Sequence, residues 1–192
     1  MKAVLEGKAF RDRPYRICAE KVAEFVAVTG DDPSRWDEAA PPGFAAALLF
    51  VVAPELLAEP AVQGSVIHAD QTFTWHRPLA IEGRLSVTGI VERVRERGGT
   101  AFVVFSLQAS GPDGPVVEGR STFLVGESGL DAGDMVVSQP GPDERADSAS
   151  VDRTLPSPRS ASRTDLIRYA AATRDWNPIH WDHETAVEAG LG

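Results

Sequence analysis

The chain has 192 residues, of which 43% are hydrophobic and 24% charged, a composition typical of a folded globular protein and unlike that of a disordered one. The 19 lysine and arginine residues are outnumbered by 28 aspartate and glutamate residues, and the resulting net charge of -9 argues against a nucleic-acid-binding surface. A single cysteine, Cys18, excludes an internal disulfide and a cysteine-based zinc cluster.

Nothing in the sequence indicates export or membrane insertion. The N-terminus reaches an acidic residue, Glu6, too early for a secretory signal peptide. The longest apolar stretch, from Gly43 to Leu57, is too short to cross a bilayer and contains Pro54 and Glu55. We therefore expect a cytoplasmic protein with no membrane partner.

The first part of the chain is predicted to contain two helices. Apolar residues recur at helical spacing from Ala19 to Val28, and Gly30 follows as a stop signal. The stretch from Gly43 to Val52 is apolar on all sides, which is typical of a buried helix. Pro54 or Pro60 is expected to end this second helix.

The hydrophobic period then changes from helical to alternating, which predicts four long strands. Their predicted ranges are 66–75, 85–94, 100–109 and 116–125. The second strand is expected to bulge near Gly89. A buried helix followed by an antiparallel meander predicts an α+β domain over residues 1–126, in which the sheet curls around the helix.

The composition changes after residue 126. Residues 127–150 are rich in Gly, Asp, Ser and Pro, so we predict a flexible linker. Residues 151–192 then begin a second unit. In it, Ser162 and Asp165 have the spacing of a helix N-cap and its partner.

An internal repeat links the two units. Segment 25–31 aligns without gaps to segment 169–175, and each ends in an aspartate followed closely by a proline. This self-similarity predicts two tandem copies of one fold, although helix ends can also reuse the same residue types by chance. The second copy has His180 after its aspartate, whereas the first has Trp36 in that region. We therefore expect any acid–base chemistry to belong to the second copy.

Asp175 and His180 are the strongest candidates for catalytic residues. Asn177-Pro178 is expected to end the preceding helix, because a residue before proline is pushed out of the α region. The break leaves Asp175 and His180 on the two sides of a tight turn, where a carboxylate and an imidazole could form an acid–base pair. The alternative is that Asp175 only ends a helix and His180 is an ordinary loop residue.

The residues Thr173-Arg-Asp-Trp-Asn-Pro-Ile-His180, with Trp181-Asp182 and Ala189-Gly-Leu-Gly192 after them, resemble the signature of MaoC-like dehydratases and R-specific enoyl-CoA hydratases. Residues 1–126 resemble the non-catalytic N-terminal half of the double-hotdog members of that family. The resemblance implies an α+β hotdog fold, a long helix wrapped by an antiparallel sheet. Residues 151–192 would then be the beginning of a second, catalytic hotdog domain.

The resemblance also implies an activity, the reversible hydration of a trans-2-enoyl thioester to a (3R)-hydroxyacyl thioester. The acyl group would be carried on CoA or on an acyl carrier. Asp175 and His180 correspond to the catalytic pair, and Asn177 to the residue that orients it. No metal or redox cofactor is implied. The expected partners are the acyl thioester and another hotdog subunit, in a homodimer or a heterodimer.

Two features depart from the family pattern. Arg174 occupies the position before the aspartate, where the family usually has glycine. Family members also continue past the region of Gly190 into their own buried helix and sheet. We therefore expect this chain to contain a truncated second hotdog and to have little hydratase activity by itself.

Three other functions are compatible with the same residues. The chain could be an acyl-binding subunit without catalysis, or a thioesterase, since one fold hosts several activities. A metal hydrolase built on His180, Asp182 and His183 is a third, although side chains so close in sequence diverge. His68 and His76 are expected to be ordinary surface or core histidines.

Overall fold

The computed structural model describes residues 1–126 and 161–188. The predicted linker, 127–150, lies outside the described residues, as do 151–160 and 189–192. The helices are α1 (Lys2–Leu5), α2 (Ala19–Thr29), α3 (Ala46–Leu57), α4 (Arg163–Thr173) and α5 (His183–Glu188). The strands are β1 (Ala9–Arg16), β2 (Ser65–Trp75), β3 (Arg84–Arg97), β4 (Thr100–Gly111) and β5 (Gly114–Gly126). Short 3₁₀ turns cover Pro33–Arg35, Pro42–Ala45 and Pro178–His180.

The five strands form one antiparallel sheet in the order β1-β3-β4-β5-β2. Strands β3, β4 and β5 are joined as consecutive hairpins, as the alternating pattern predicts. The predicted four-strand meander is nevertheless wrong, because β2 pairs with β5 and β3 pairs with β1. An alternating pattern identifies a strand and its buried face but does not specify which strand lies beside it.

Helix α3 is the element around which the sheet curls, and this α+β arrangement is the hotdog fold. Its side chains at Ala47, Leu48, Leu49, Val52, Ala53 and Leu56 are at most 1% exposed. Opposite them lie buried side chains from the inner faces of β3, β4 and β5, among them Val87, Val91, Val103, Phe105 and Phe123. Within the described ranges, neither α3 nor any other helix has the length and apolar character needed to cross a membrane.

Of the two prolines predicted to end α3, Pro54 does not end it, and the helix stops shortly before Pro60. The helix continues through Pro54 and ends after Leu57. An interior proline removes a backbone hydrogen bond and costs about 3 kcal/mol. Burial of Val52 before it and Leu56 after it offsets that cost, since each buried aliphatic side chain contributes about 1.5–3 kcal/mol.

Strand β3 is irregular near Gly89, as predicted. Its pairing with β4 shifts between Val91 and Arg93, and its pairing with β1 shifts between Phe10, the partner of Gly89, and Arg13. Gly89 itself allows a close approach. A β-carbon at position 89 would lie 2.3 Å from the Phe105 ring. Glycine therefore lets this buried ring pack directly on the strand backbone.

The segment 161–188 packs on the helical side of the sheet, with α4 lying against α2 and α3. At one point of this contact the ring of Tyr169 lies 5.9 Å from the ring of Phe25, centroid to centroid. These two residues occupy the same position in the internal repeat. Equivalent residues meet in this way at a two-fold axis, so the contact is consistent with two copies of one unit related by a local two-fold.

Candidate functional site

Helix α4 carries the chain to the candidate pair. It begins at the predicted capping box: the hydroxyl of Ser162 accepts from the Asp165 backbone N–H at 3.2 Å, and Asp165 accepts from the Ser162 backbone N–H at 2.9 Å. The helix buries Ala170, Ala172 and Thr173. Small side chains on this face allow α4 to lie close to its neighbours, which brings its C-terminal end to the first copy.

Arg174 ends α4 in the left-handed region, with φ 64° and ψ 20°. The aligned residue of the first copy is Gly30, at φ 67° and ψ 28°. A residue with a side chain costs about 1–2 kcal/mol more than glycine in this conformation. The guanidinium of Arg174 lies 5.8 Å from the ring centre of Tyr15, a cation–π contact that offsets about 0.5–1 kcal/mol. The turn thus keeps the geometry of a glycine position despite the substitution.

The chain then turns through a single 3₁₀ turn that returns it towards α4. The side-chain oxygen of Asn177 accepts from the Ile179 N–H at 3.4 Å, and the Asn177 carbonyl accepts from the His180 N–H at 3.1 Å. Pro178 occupies the first position of the turn, where its fixed φ is already suitable. This local geometry brings position 180 back beside position 175.

The side chains of Asp175 and His180 meet. Asp175 Oδ2 and His180 Nε2 are 3.1 Å apart, within hydrogen-bond distance. The Asp175 side chain is 16% exposed and that of His180 42% exposed, so the pair is held by the protein but open to a small molecule. The hydrogen bond to Asp175 raises the pKa of His180, with burial acting in the opposite direction. Such a pair can take and give a proton near neutral pH.

Asn177 attaches the turn to the first copy. Its side-chain amide donates to the carbonyl of Val66 on β2 at 2.8 Å, across 111 residues of sequence. Its backbone N–H donates to Asp175 Oδ1 at 3.4 Å. Asn177 therefore holds the candidate pair through the turn backbone and through β2.

The first copy repeats this geometry with different chemistry. Asp31 Oδ2 accepts from the indole Nε1–H of Trp36 at 2.9 Å, and Asp32 caps the following 3₁₀ turn by accepting from the Ser34 N–H at 3.0 Å. An indole N–H only donates, and it neither gains nor loses charge near neutral pH. The aligned site of the first copy therefore lacks a group that can act as acid and base.

His68 lies next to the candidate pair, which the sequence does not indicate. Its ring packs 5.1 Å from the ring of Phe123 and 6.4 Å from that of Phe50. Its Nε2 is buried and has no hydrogen-bond partner among the described residues. Burial lowers the pKa of His68, and the nearby carboxylate of Asp175 opposes this change. No local pattern marks His68, because strand β2 and the turn come together only in the folded chain.

The other residues singled out in the sequence lie outside this pair. His76 is exposed, with its Nε2 3.5 Å from a Glu118 oxygen. Asp182 accepts a 2.5 Å hydrogen bond from the Thr185 hydroxyl. Across residues 1–126 and 161–188, no three His, Cys, Asp or Glu side chains are placed to bind one metal ion. The described residues therefore give the alternative metal site no support.

We expect Asp175→Asn to lower the pKa of His180 towards its ordinary value of about 6.5, because the raised pKa depends first on this carboxylate. NMR titration of the imidazole protons measures it directly. Asp31→Asn, the aligned change in the first copy, serves as the control and should leave His180 unaffected. Equal His180 pKa values in wild type and Asp175→Asn would contradict the paired geometry.

The raised pKa of His180 also predicts that the stability of the fold depends on pH. The pKa of His180 is higher in the folded chain than in the unfolded chain. The contribution of the pair is therefore fully present below about pH 6.5 and is lost as the pH rises through the folded pKa. Since His180 is partly exposed, solvent screening keeps this contribution small.

The chain is similar in sequence to known proteins. Residues 145–192, which contain the candidate pair, match the family model of the MaoC like domain. The chain is 31% identical over 105 residues to a UPF0336 protein of Streptomyces avermitilis, covering 47% of this chain and 70% of that relative. It is 33% identical over 128 residues to a UPF0336 protein of Clavibacter michiganensis, covering 58% of this chain and 86% of that relative.

Solved structures show the same fold. HtdX of Mycobacterium tuberculosis superposes with a TM-score of 0.69 at 24% identity, over 94% of this chain and 68% of HtdX. The C-terminally truncated HadBC (3R)-hydroxyacyl-ACP dehydratase complex of the same organism has a TM-score of 0.56 at 22% identity, over 65% of this chain and 99% of that chain. At these identities the likeness concerns the fold alone. The chain therefore belongs to the family of the UPF0336 proteins, and it shares its hotdog fold with solved MaoC-like dehydratases.

Proposed function

We propose that the protein reversibly hydrates trans-2-enoyl thioesters to (3R)-hydroxyacyl thioesters, with Asp175 and His180 as the catalytic pair. The observation that carries this proposal is the 3.1 Å contact between Asp175 Oδ2 and His180 Nε2 at a partly exposed turn. Hydration requires one group to take a proton from water and another to give a proton to the substrate. A carboxylate–imidazole pair can do both.

In the hydration direction, the oxygen of a water molecule forms a bond to C3 of the enoyl thioester, and one member of the pair takes the proton that this water loses. The electrons of the double bond move to the thioester carbonyl, which becomes enolate-like. C2 then receives a proton from the other member, and the carbonyl is restored. The developing oxygen charge requires fixed hydrogen-bond donors such as backbone N–H groups. Dehydration follows the same steps in reverse.

The electrostatics of the pair support its proposed role. The carboxylate of Asp175 raises the pKa of His180, so the imidazole keeps its proton at a higher pH than a free histidine would. That change suits His180 to donating a proton near neutral pH. Asn177 is proposed to support catalysis by holding the turn against β2, through its 2.8 Å bond to Val66.

Named relatives support the proposed substrate class. HadBC of Mycobacterium tuberculosis is a (3R)-hydroxyacyl-ACP dehydratase, and its fold resembles that of this chain. The proposed substrates are accordingly acyl groups of the same type, carried as a thioester on CoA or on an acyl carrier.

The proposal assigns different roles to the two copies. Residues 1–126 form the non-catalytic hotdog, since Trp36 stands there where the second copy has His180. Residues 151–192 belong to the catalytic unit, joined to the first by the linker 127–150. The proposed protein partner is another hotdog subunit, in a homodimer or a heterodimer. In support of this, β1 and β2 are the edges of the described sheet, and edge strands readily pair with further strands.

The test is the conversion of crotonyl-CoA by the whole gene product, with three measurements: the amount of 3-hydroxybutyryl-CoA, its configuration, and the free thiol released. We expect the (3R) product without thiol release. Thiol release without hydration would identify a thioesterase, and binding without either reaction would identify an acyl-binding subunit.

A further inference from the structure

We propose that His68, on strand β2 of the first copy, is a positioning residue that holds the water molecule on which Asp175 and His180 act. The inference rests on the proposed hydration reaction. It extends the site from one turn of the second copy to a residue of the copy that lacks the catalytic pair.

The first observation is the buried nitrogen of His68. Its Nε2 has no hydrogen-bond partner in the described part of the chain. Buried polar atoms are nearly always paired, either with protein or with an ordered water, and leaving one unpaired costs about 1–3 kcal/mol. A binding partner for this atom is therefore expected, and a water molecule shared with Asp175 and His180 would have the two or more polar partners that a buried water needs.

The second observation is how β2 positions the ring. The pairing of β2 with β5 shifts between His68 and Asp70, so Ala69 is the extra residue of a β-bulge. Bulges are common beside active sites, where they redirect a side chain. Here the His68 ring is held between two aromatic rings, those of Phe50 on α3 and Phe123 on β5. A ring fixed on both sides can hold a bound water at one position.

The third observation is the proximity of the candidate pair. Asn177 bonds to the carbonyl of Val66 at 2.8 Å, which fastens the turn to β2 only two residues from His68. The carboxylate of Asp175 is near enough to affect the ionisation of His68. The unpaired Nε2 of His68 and the carboxylate of Asp175 thus belong to one small region.

The charge state of His68 suits a positioning role. The charged groups that act on it are Asp70 and Asp175, and the amide of Gln71 also contacts it. Burial outweighs these groups and lowers the pKa of His68, so the ring is neutral near pH 7. A neutral imidazole can bind water without placing a second positive charge beside His180.

The test compares His68→Phe, His68→Gln and the matched control His76→Phe in the whole gene product. Phenylalanine keeps the aromatic packing and removes the nitrogen. We expect His68→Phe to reduce kcat for crotonyl-CoA by about 10- to 100-fold, because misplacing a reactant by about 1 Å can cost 10²-fold. KM, the His180 titration and the thermal unfolding temperature should stay at wild-type values. His68→Gln should restore part of kcat, and His76→Phe should leave it unchanged.

Three results would overturn the inference. The first is wild-type kcat in His68→Phe, which would show that the nitrogen is not needed while the proposed function stands. The second is a loss of kcat in His68→Phe that accompanies a lower thermal unfolding temperature and persists in His68→Gln. This result would show that His68 only packs against its neighbours. The third is an inactive wild-type protein, in which case the proposed function itself fails and the role of His68 fails with it.

Discussion

Replacing Asp175 by Asn or His180 by Gln is expected to reduce kcat for crotonyl-CoA hydration by about 10²- to 10⁴-fold, the usual contribution of a general acid or base. Both substitutions keep nearly the same shape and remove the ability to exchange a proton. Substrate binding should therefore change little, so that the loss is in kcat and not in KM. Steady-state kinetics of the whole gene product measure both constants.

Two additional variants sharpen this prediction. Asp31→Asn changes the aligned aspartate of the first copy, which bonds to Trp36, and should keep wild-type kcat. The double variant Asp175→Asn/His180→Gln should have a kcat close to that of the less active single variant. Removing either member of a pair that acts as one unit already removes most of the effect of both. The assigned pair would be contradicted if the losses of kcat in the two single variants multiplied in the double variant. It would also be contradicted if Asp31→Asn lost as much kcat as Asp175→Asn.

The largest effect on stability is expected from α3, the helix at the centre of the sheet. Leu48→Ala should lower the free energy of unfolding by about 2–5 kcal/mol, the range for truncating a buried leucine whose cavity does not collapse. Leu48 is fully buried against the inner face of the sheet. Urea denaturation followed by circular dichroism gives the free energy and shows whether the m-value is preserved.

Leu166→Ala provides a matched control for Leu48→Ala. It makes the same substitution within a helix, α4, but the side chain is 43% exposed. We expect the free energy of unfolding to fall by less than about 1 kcal/mol, since surface changes usually have small effects. Similar losses for the two variants would show that α3 does not form the core that the fold requires.

Local features of the chain could be predicted because they depend on neighbouring residues. Helix α2 ends at Gly30 because glycine readily adopts a positive φ, and the φ of Gly30 is 67°. The capping box at Ser162 follows from donors and acceptors three residues apart. The turn at Asn177-Pro178 follows from the restriction that proline places on the residue before it. Such effects act within one or two turns of chain.

Other features could not be decided from local sequence, because distant contacts decide them. Pro54 remains inside α3, since burial on both sides of it outweighs the lost hydrogen bond. The predicted meander fails because β2 pairs with β5, a choice that depends on how the whole sheet closes around α3. Gly89 makes room for the Phe105 ring of the neighbouring strand.

The candidate site divides in the same way. The sequence by itself predicted that Asp175 and His180 could pair, because a short turn keeps two side chains only a few residues apart near each other, and the structure places them 3.1 Å apart. Only the tertiary structure decided that Asn177 bonds to Val66 and that His68 lies beside the pair with an unpaired nitrogen. These contacts join residues more than a hundred positions apart, and their formation depends on the packing of α4 against the first copy, which no local pattern encodes.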